Sequence, residues 1–234
     1  MNFLVTTILI ATRNAHKVGE IRAILGGKFQ FLTLNDFPAA PKVVEDAETF
    51  VGNATKKAVE LAKWISAGST VQRFNDSTVF ILADDSGLEV DALGGKPGVH
   101  SARFAAMDSG VKGNSCDTDN NSKLLRLLKK IPPEKRVARF RCVIALASMP
   151  SGKIESASPV CFAEEFEPQI FDGACEGKII FEPRGQNGFG YDPLFVPCGF
   201  DQTFAELSED VKNKLSHRAK ALEKLKNYFS RLPS

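Results

Sequence analysis

Hydrophobic positions along this chain switch between two periods, and the switches mark its elements. Residues 3–11 are an unbroken run rich in Ile, Val and Thr, the pattern of a buried strand. From Asn14 the spacing lengthens: Val18, Ile21, Ile24 and Leu25 recur as on a helix face, and Gly26–Gly27 stops it. Residues 29–34 predict a second strand. Residues 46–65 predict a long amphipathic helix with Phe50, Ala54, Ala58, Leu61, Ala62 and Ile65 on one face. The polar stretch 67–78 predicts an exposed loop.

The middle of the chain is richer in strand. Residues 79–83 predict a short strand that ends on Asp84 and Asp85, followed by a loop containing Gly87, Gly94, Gly95 and Gly98. Residues 118–130 predict a helix stopped by Pro132–Pro133, with Leu124, Leu125, Leu128 and Ile131 inward. Residues 136–148 alternate before running apolar, so Arg136, Arg139 and Arg141 read as a solvated strand face. Strands are expected at 160–167 and 174–181. Two short helices close the chain, capped by Ser208 and Ser216, the second with Ala219, Leu222, Leu225 and Phe229 inward. Strand and helix alternate early and strands cluster later, which predicts a mixed α/β protein, one domain over 1–234 with two lobes.

Composition narrows the class only a little. The 234 residues are 43% hydrophobic and 25% charged, and the net charge of +2 gives no reason to expect nucleic acid or a membrane surface as partner. No apolar run approaches the ~18 residues of a membrane span. The first residues have no basic segment ahead of their apolar run, so they read as a strand rather than a signal peptide. The five cysteines are scattered without a CxxC pair, which argues for a reducing cytoplasmic setting and against a disulfide frame or zinc.

Four stretches carry candidate chemistry. Thr12–Arg13–Asn14–Ala15–His16–Lys17 sits where a strand gives way to a helix, and a helix N-terminus with a lysine suits an anion. The same residues would also serve as a plain cap with Lys17 solvated. Glu45, Asp84 and Asp85 offer oxygens to a hard cation such as Mg²⁺, which takes one or two carboxylates plus phosphates and water. Alternatively, Asp84 caps a turn and Asp85 is solvated. In "NGFGYDP" the glycines let Phe189 or Tyr191 approach a flat ligand, or else form a turn over core aromatics. His217 and Arg218 lie at a helix start, with Lys212 shortly before it, and could donate to ligand oxygens, or else belong to a capped, solvated helix end. Together these describe a nucleoside triphosphate–Mg²⁺ pocket built without a GxxxxGK[ST] loop.

In combination and order, these motifs resemble the Ham1-like inosine triphosphate pyrophosphatases over residues 8–229. "TRNAHK", "ADDSGLEVDALGGKPGVHSARFA", "GFGYDPLF" and "FAELSEDVKNKLSHRAKAL" match its successive blocks. The resemblance implies an elongated mixed sheet flanked by helices, with two lobes around a nucleotide cleft. It implies Mg²⁺-dependent hydrolysis of ITP, dITP and XTP to the monophosphate and pyrophosphate by a homodimer. Residues 12–17 and Ser86 would touch substrate, Glu45 and Asp85 would hold Mg²⁺, and Asp85 would accept the proton of the attacking water. Phe189, Gly190, Tyr191 and Asp192 would form the base pocket, closed by Lys212, His217 and Arg218. Arg13 stands where many members have Gly and Gly52 where some carry an acidic residue; the loop 67–78 is longer than in compact members, and 149–159 is irregular. Two rivals remain: a Maf-like pyrophosphatase acting on pyrimidine or modified nucleotides, and a catalytically silent nucleotide-binding protein.

Overall fold

The computed structural model describes residues 6–67, 78–109, 113–149 and 166–232. All but the two ends of the expected loop at 67–78, most of the expected strand at 160–167 and the irregular stretch after 149 fall outside these residues. Among the described residues, six strands form one mixed sheet in the order β2-β1-β3-β4-β5-β6. They are β1 (Thr7–Ile10), β2 (Gln30–Thr33), β3 (Val79–Val90), β4 (Val137–Ser148), β5 (Gln169–Ile179) and β6 (Phe195–Pro197). The helices are α1 (Ala15–Leu25), α2 (Phe50–Ala67), α3 (Ala106–Ser109), α4 (Asp117–Leu127), α5 (Glu209–Leu215) and α6 (His217–Phe229). No described helix is long and apolar enough to cross a membrane.

The chain divides into two compact units. One holds Met1–Asp85, Val143–Phe171 and Leu222–Ser234, and the other Ser86–Cys142 and Asp172–Ala221. In the first unit β1 pairs parallel with both β2 and β3, which brings their C-terminal ends to one edge. Every residue of β1 is buried, as a strand enclosed on both faces must be. All six apolar residues predicted for the face of α2 are buried, although the helix begins at Phe50 rather than at residue 46. Phe229 packs on Phe29 and Phe80 at centroid distances of 4.9 and 5.1 Å, fixing the end of α6.

In the second unit a core of Leu88, Phe104, Leu124, Leu128, Phe140 and Phe195, among others, is buried under α4 and α5. Gly173 of β5 lets the start of α6 come close, since a Cβ there would lie 2.2 Å from the His217 carbonyl oxygen. That approach fixes where His217 and Arg218 stand.

Two expectations need correcting. The strand expected to stop at the aspartates runs on to Val90, so Asp84 and Asp85 lie inside β3, both buried. Lysines reach both residues there, so the carboxylates need no solvent and the strand need not end. Arg136 is not solvated: it is 2% exposed, and its guanidinium donates to the carbonyls of Leu128, Ile131 and Ile180 at 2.7–3.1 Å. Three backbone acceptors replace its water shell. Arg139 lies on the outer face but is paired with Asp91 and Glu176.

Candidate active site

In the first unit, the turn after β1 is locally determined. Asn14 caps α1, its side-chain oxygen accepting from the backbone N–H groups of His16 and Lys17 at 2.9 and 3.3 Å. The Thr12 hydroxyl accepts from the Asn14 N–H at 3.1 Å. This capping consumes two first-turn donors and holds Lys17 with its ammonium on the Asp84 carboxylate. The parallel register, with Ile10 opposite Leu82, carries both segments to the same sheet edge, where α/β proteins place ligands. Arg13, Ala15 and His16 are exposed beside it.

The carboxylates converge on a residue that sequence reasoning missed. Lys57, from the buried face of α2, donates to the Asp84 carbonyl oxygen at 2.7 Å. Its ammonium also lies 3.3 Å from Glu45 and 3.4 Å from Asp85. Burial opposes the Lys57 charge, but Asp85, Glu45 and Asp84 outweigh it and raise its pKa. A signal was present: Asn53 and Lys57 occupy the apolar stripe of an amphipathic helix, where polar residues are unusual without partners. Asn53 finds its partner in Ala47, accepting from its N–H at 3.0 Å and donating to its carbonyl at 3.3 Å. That docks the segment carrying Glu45 onto α2.

Asp85 is the least settled group of the set. Burial raises its pKa, with Glu45 and Asp84 adding to the rise and Lys57 and Lys17 opposing it. Its Oδ2 is buried without a hydrogen-bond partner among the described residues. An orphaned carboxylate oxygen next to a second carboxylate fits a hard cation. No cluster of three or more His, Cys, Asp or Glu suited to a metal occurs among the described residues. Glu45 and Asp85 are the two carboxylates beside Lys57 that could serve a cation, and Mg²⁺ usually takes one or two carboxylates besides phosphates and water.

In the second unit the other predicted residues come together. Lys212, 6% exposed, donates to the Asp192 carboxylate at 2.6 Å, and the same oxygen accepts from the Phe189 N–H at 2.9 Å. Arg218, 1% exposed, donates to the Ser86 hydroxyl at 2.9 Å. The half-buried Phe189 ring has the Lys212 ammonium at 4.9 Å and the Arg218 guanidinium at 6.0 Å from its centre. His217 is buried and stacks on Phe140 at 4.8 Å. Tyr191 is part of the core, its hydroxyl donating to the Ser101 carbonyl at 2.9 Å, and burial pushes its phenol pKa up. Of the two aromatics, Phe189 is thus the one with accessible ring surface. Gly190, at φ +63°, stands between them in the sequence.

The lysine–carboxylate set of the first unit suits a polyanion, and in the second unit a half-exposed aromatic ring flanked by cations suits a flat ring. The Ham1 family profile matches residues 8–228, and the chain belongs to that family. It is 43% identical over 226 residues to the dITP/XTP pyrophosphatase of Desulforamulus reducens, covering 96% of each chain. The corresponding protein of Geobacter sulfurreducens is 44% identical over 225 residues, again with 96% of each covered. Among solved structures, a HAM1 protein from Coxiella burnetii superposes with a TM-score of 0.74 at 34% identity, over 97% of this chain and 100% of that one. The dITP/XTP pyrophosphatase from Mycobacterium abscessus gives 0.66 at 37% identity, over 94% and 98%.

Proposed function

We propose that this protein is a nucleoside triphosphate pyrophosphatase that converts non-standard purine triphosphates (ITP, dITP, XTP) to the monophosphate and pyrophosphate. The observation that carries the reading is the convergence of Lys17, Lys57 and Glu45 on the buried Asp84–Asp85 pair, in a chain whose relatives are named for this activity. Lys17 and Lys57 exchange carboxylate contacts for phosphate oxygens when a triphosphate arrives, with the α1 N-terminus beside them. Glu45 and Asp85 would hold Mg²⁺, which when bound neutralises phosphate charge and lowers the pKa of a water. Asp85, whose Oδ2 has no hydrogen-bond partner among the described residues, would also take the proton of the attacking water. With little covalent work for the protein, positioning and charge stabilisation carry the rate.

In the second unit, Phe189 offers a stacking surface and Arg218 a donor for the 6-oxo group of hypoxanthine or xanthine. Adenine places an amino group there, so the donor would lose its partner at a cost of about 1–3 kcal/mol. Family membership also supports a homodimer working in the cytoplasm. Pyrophosphate release with Mg²⁺ from ITP, XTP, dUTP, GTP and ATP in parallel tests the reading. We expect fast turnover of ITP and XTP, with ATP and GTP at least about tenfold slower. Turnover of dUTP alone would transfer the protein to the pyrimidine-directed reading. Nucleotide binding without pyrophosphate release would mark it as catalytically silent.

A further inference from the structure

Helix α4 carries no residue of the proposed site, yet its polar side chains hold the loop that bears Phe189. The Asp117 carboxylate accepts from the Gly190 N–H at 2.6 Å, and the Asn121 amide donates to the Gly190 carbonyl at 3.0 Å. Both polar groups of one peptide residue are thus gripped by the first and second turns of the same helix. The positions follow from helical spacing, because residues four apart share a face. The next side chains along α4 hold a second segment. Asn120 accepts from the Ala105 N–H at 2.8 Å, and Lys123 donates to the Phe104 carbonyl at 2.6 Å. Tyr191 closes the triangle by donating to Ser101, just ahead of that second segment.

We propose that Asp117 and Asn121 are positioning residues for base selection. By fixing both sides of Gly190 they set the orientation of the neighbouring Phe189 ring, without touching the nucleotide themselves. The inference rests on the reading that Phe189 faces the base. Gly190 needs such a grip: at φ +63° and with no atom within 4 Å of where a Cβ would be, its conformation is not imposed by packing around that missing side chain. A site whose supporting shell is loose loses its geometry first, and about 1 Å of misplacement can cost a hundredfold in rate. Asn121 is 8% exposed, so its amide cannot simply exchange Gly190 for water. Asp117 is exposed and acts from the rim.

The test uses the full-length enzyme with Asn121→Ala, Asp117→Ala and Asp117→Asn, read in two ways. Amide hydrogen exchange of the peptide spanning 187–195 reports the grip itself, independently of any substrate. The ratio of kcat/KM for ITP to that for ATP reports its consequence. We expect faster exchange in 187–195 in both alanine variants, and a fall of about tenfold in the ratio, through a raised KM for ITP with kcat within about twofold. Asp117→Asn keeps an acceptor oxygen of the same shape and should restore both readouts. Asp117→Ala changes an exposed side chain, so it keeps the test decisive even where Asn121→Ala does not fold. Unchanged exchange in Asp117→Ala overturns the grip. Faster exchange with an unchanged ITP/ATP ratio overturns the positioning role. A wild-type enzyme that does not discriminate ITP from ATP overturns the base reading instead, and is recognised because the unmutated protein shows it.

Discussion

The two units treat buried charge in opposite ways. In the first, Lys17, Lys57, Glu45, Asp84 and Asp85 crowd one sheet edge, and Asp85 Oδ2 has no hydrogen-bond partner among the described residues. In the second, Lys212 and Asp192 form a close pair, Asp192 also takes the Phe189 N–H, and Arg218 rests on Ser86. On the proposed function, the first set changes partners when the triphosphate arrives, whereas the second keeps the contacts it already has. A site that must gain a polyanion and a cation benefits from charges that are poised, whereas a site that must tell one ring from another benefits from donors that cannot move. Both units nevertheless use the same device to hold a loop: an asparagine on a helix grips a backbone residue, Asn53 on Ala47 and Asn121 on Gly190.

Changes in the first unit should cost rate, and changes in the second should cost stability or base choice. The largest expected effect is that of Asp85→Asn, which should lower kcat for ITP by about 10²–10⁴-fold, the scale of a positioned acid–base group. Because burial already disfavours this carboxylate, the neutral variant should melt at the wild-type temperature or above it. A loss below tenfold would remove Asp85 from its role. Next comes Lys212→Met, which leaves Asp192 buried without its cation and should cost about 3–5 kcal/mol of stability by denaturant unfolding. A stability change near zero would show that this pair is not a fixed part of the base unit. The smallest effects separate two glycines of the same loop. Gly188→Ala would place a Cβ 2.1 Å from the Asp192 carboxylate, whereas Gly190→Ala meets nothing within 4 Å. Gly190→Ala should therefore cost only the left-handed backbone penalty of about 1–2 kcal/mol, and Gly188→Ala clearly more. Equal melting temperatures for the two variants would mean that the Asp192 contact gives way.

Much of the fold could be read from the sequence, for particular reasons. The face of α2 was legible because Phe50, Ala54, Ala58, Leu61, Ala62 and Ile65 repeat at helical spacing, and each is buried. The Ser208 cap was legible because its hydroxyl acts on Val211, three residues on. Lys57 was not legible as a site residue, since its partners Asp84 and Asp85 are 27 and 28 residues away. The length of β3 was hidden for the same reason: two aspartates and a glycine break the pattern of a strand unless distant lysines answer the charge. Arg136 looked solvated because the carbonyl of Ile180 that accepts from it is 44 residues further along. Local periodicity reports burial, and pairing across the fold decides which polar residues are allowed inside.

The most direct test of the division is the ratio of kcat/KM for ITP to that for ATP, measured in Asp85→Asn and in Arg218→Met. Asp85→Asn should slow both substrates by the same factor and leave the ratio at its wild-type value. Arg218→Met should reduce the ratio by about tenfold or more, because the donor that ATP leaves unpaired is gone. A ratio that collapses in Asp85→Asn, or persists in Arg218→Met, would contradict the assignment of chemistry to one unit and base choice to the other.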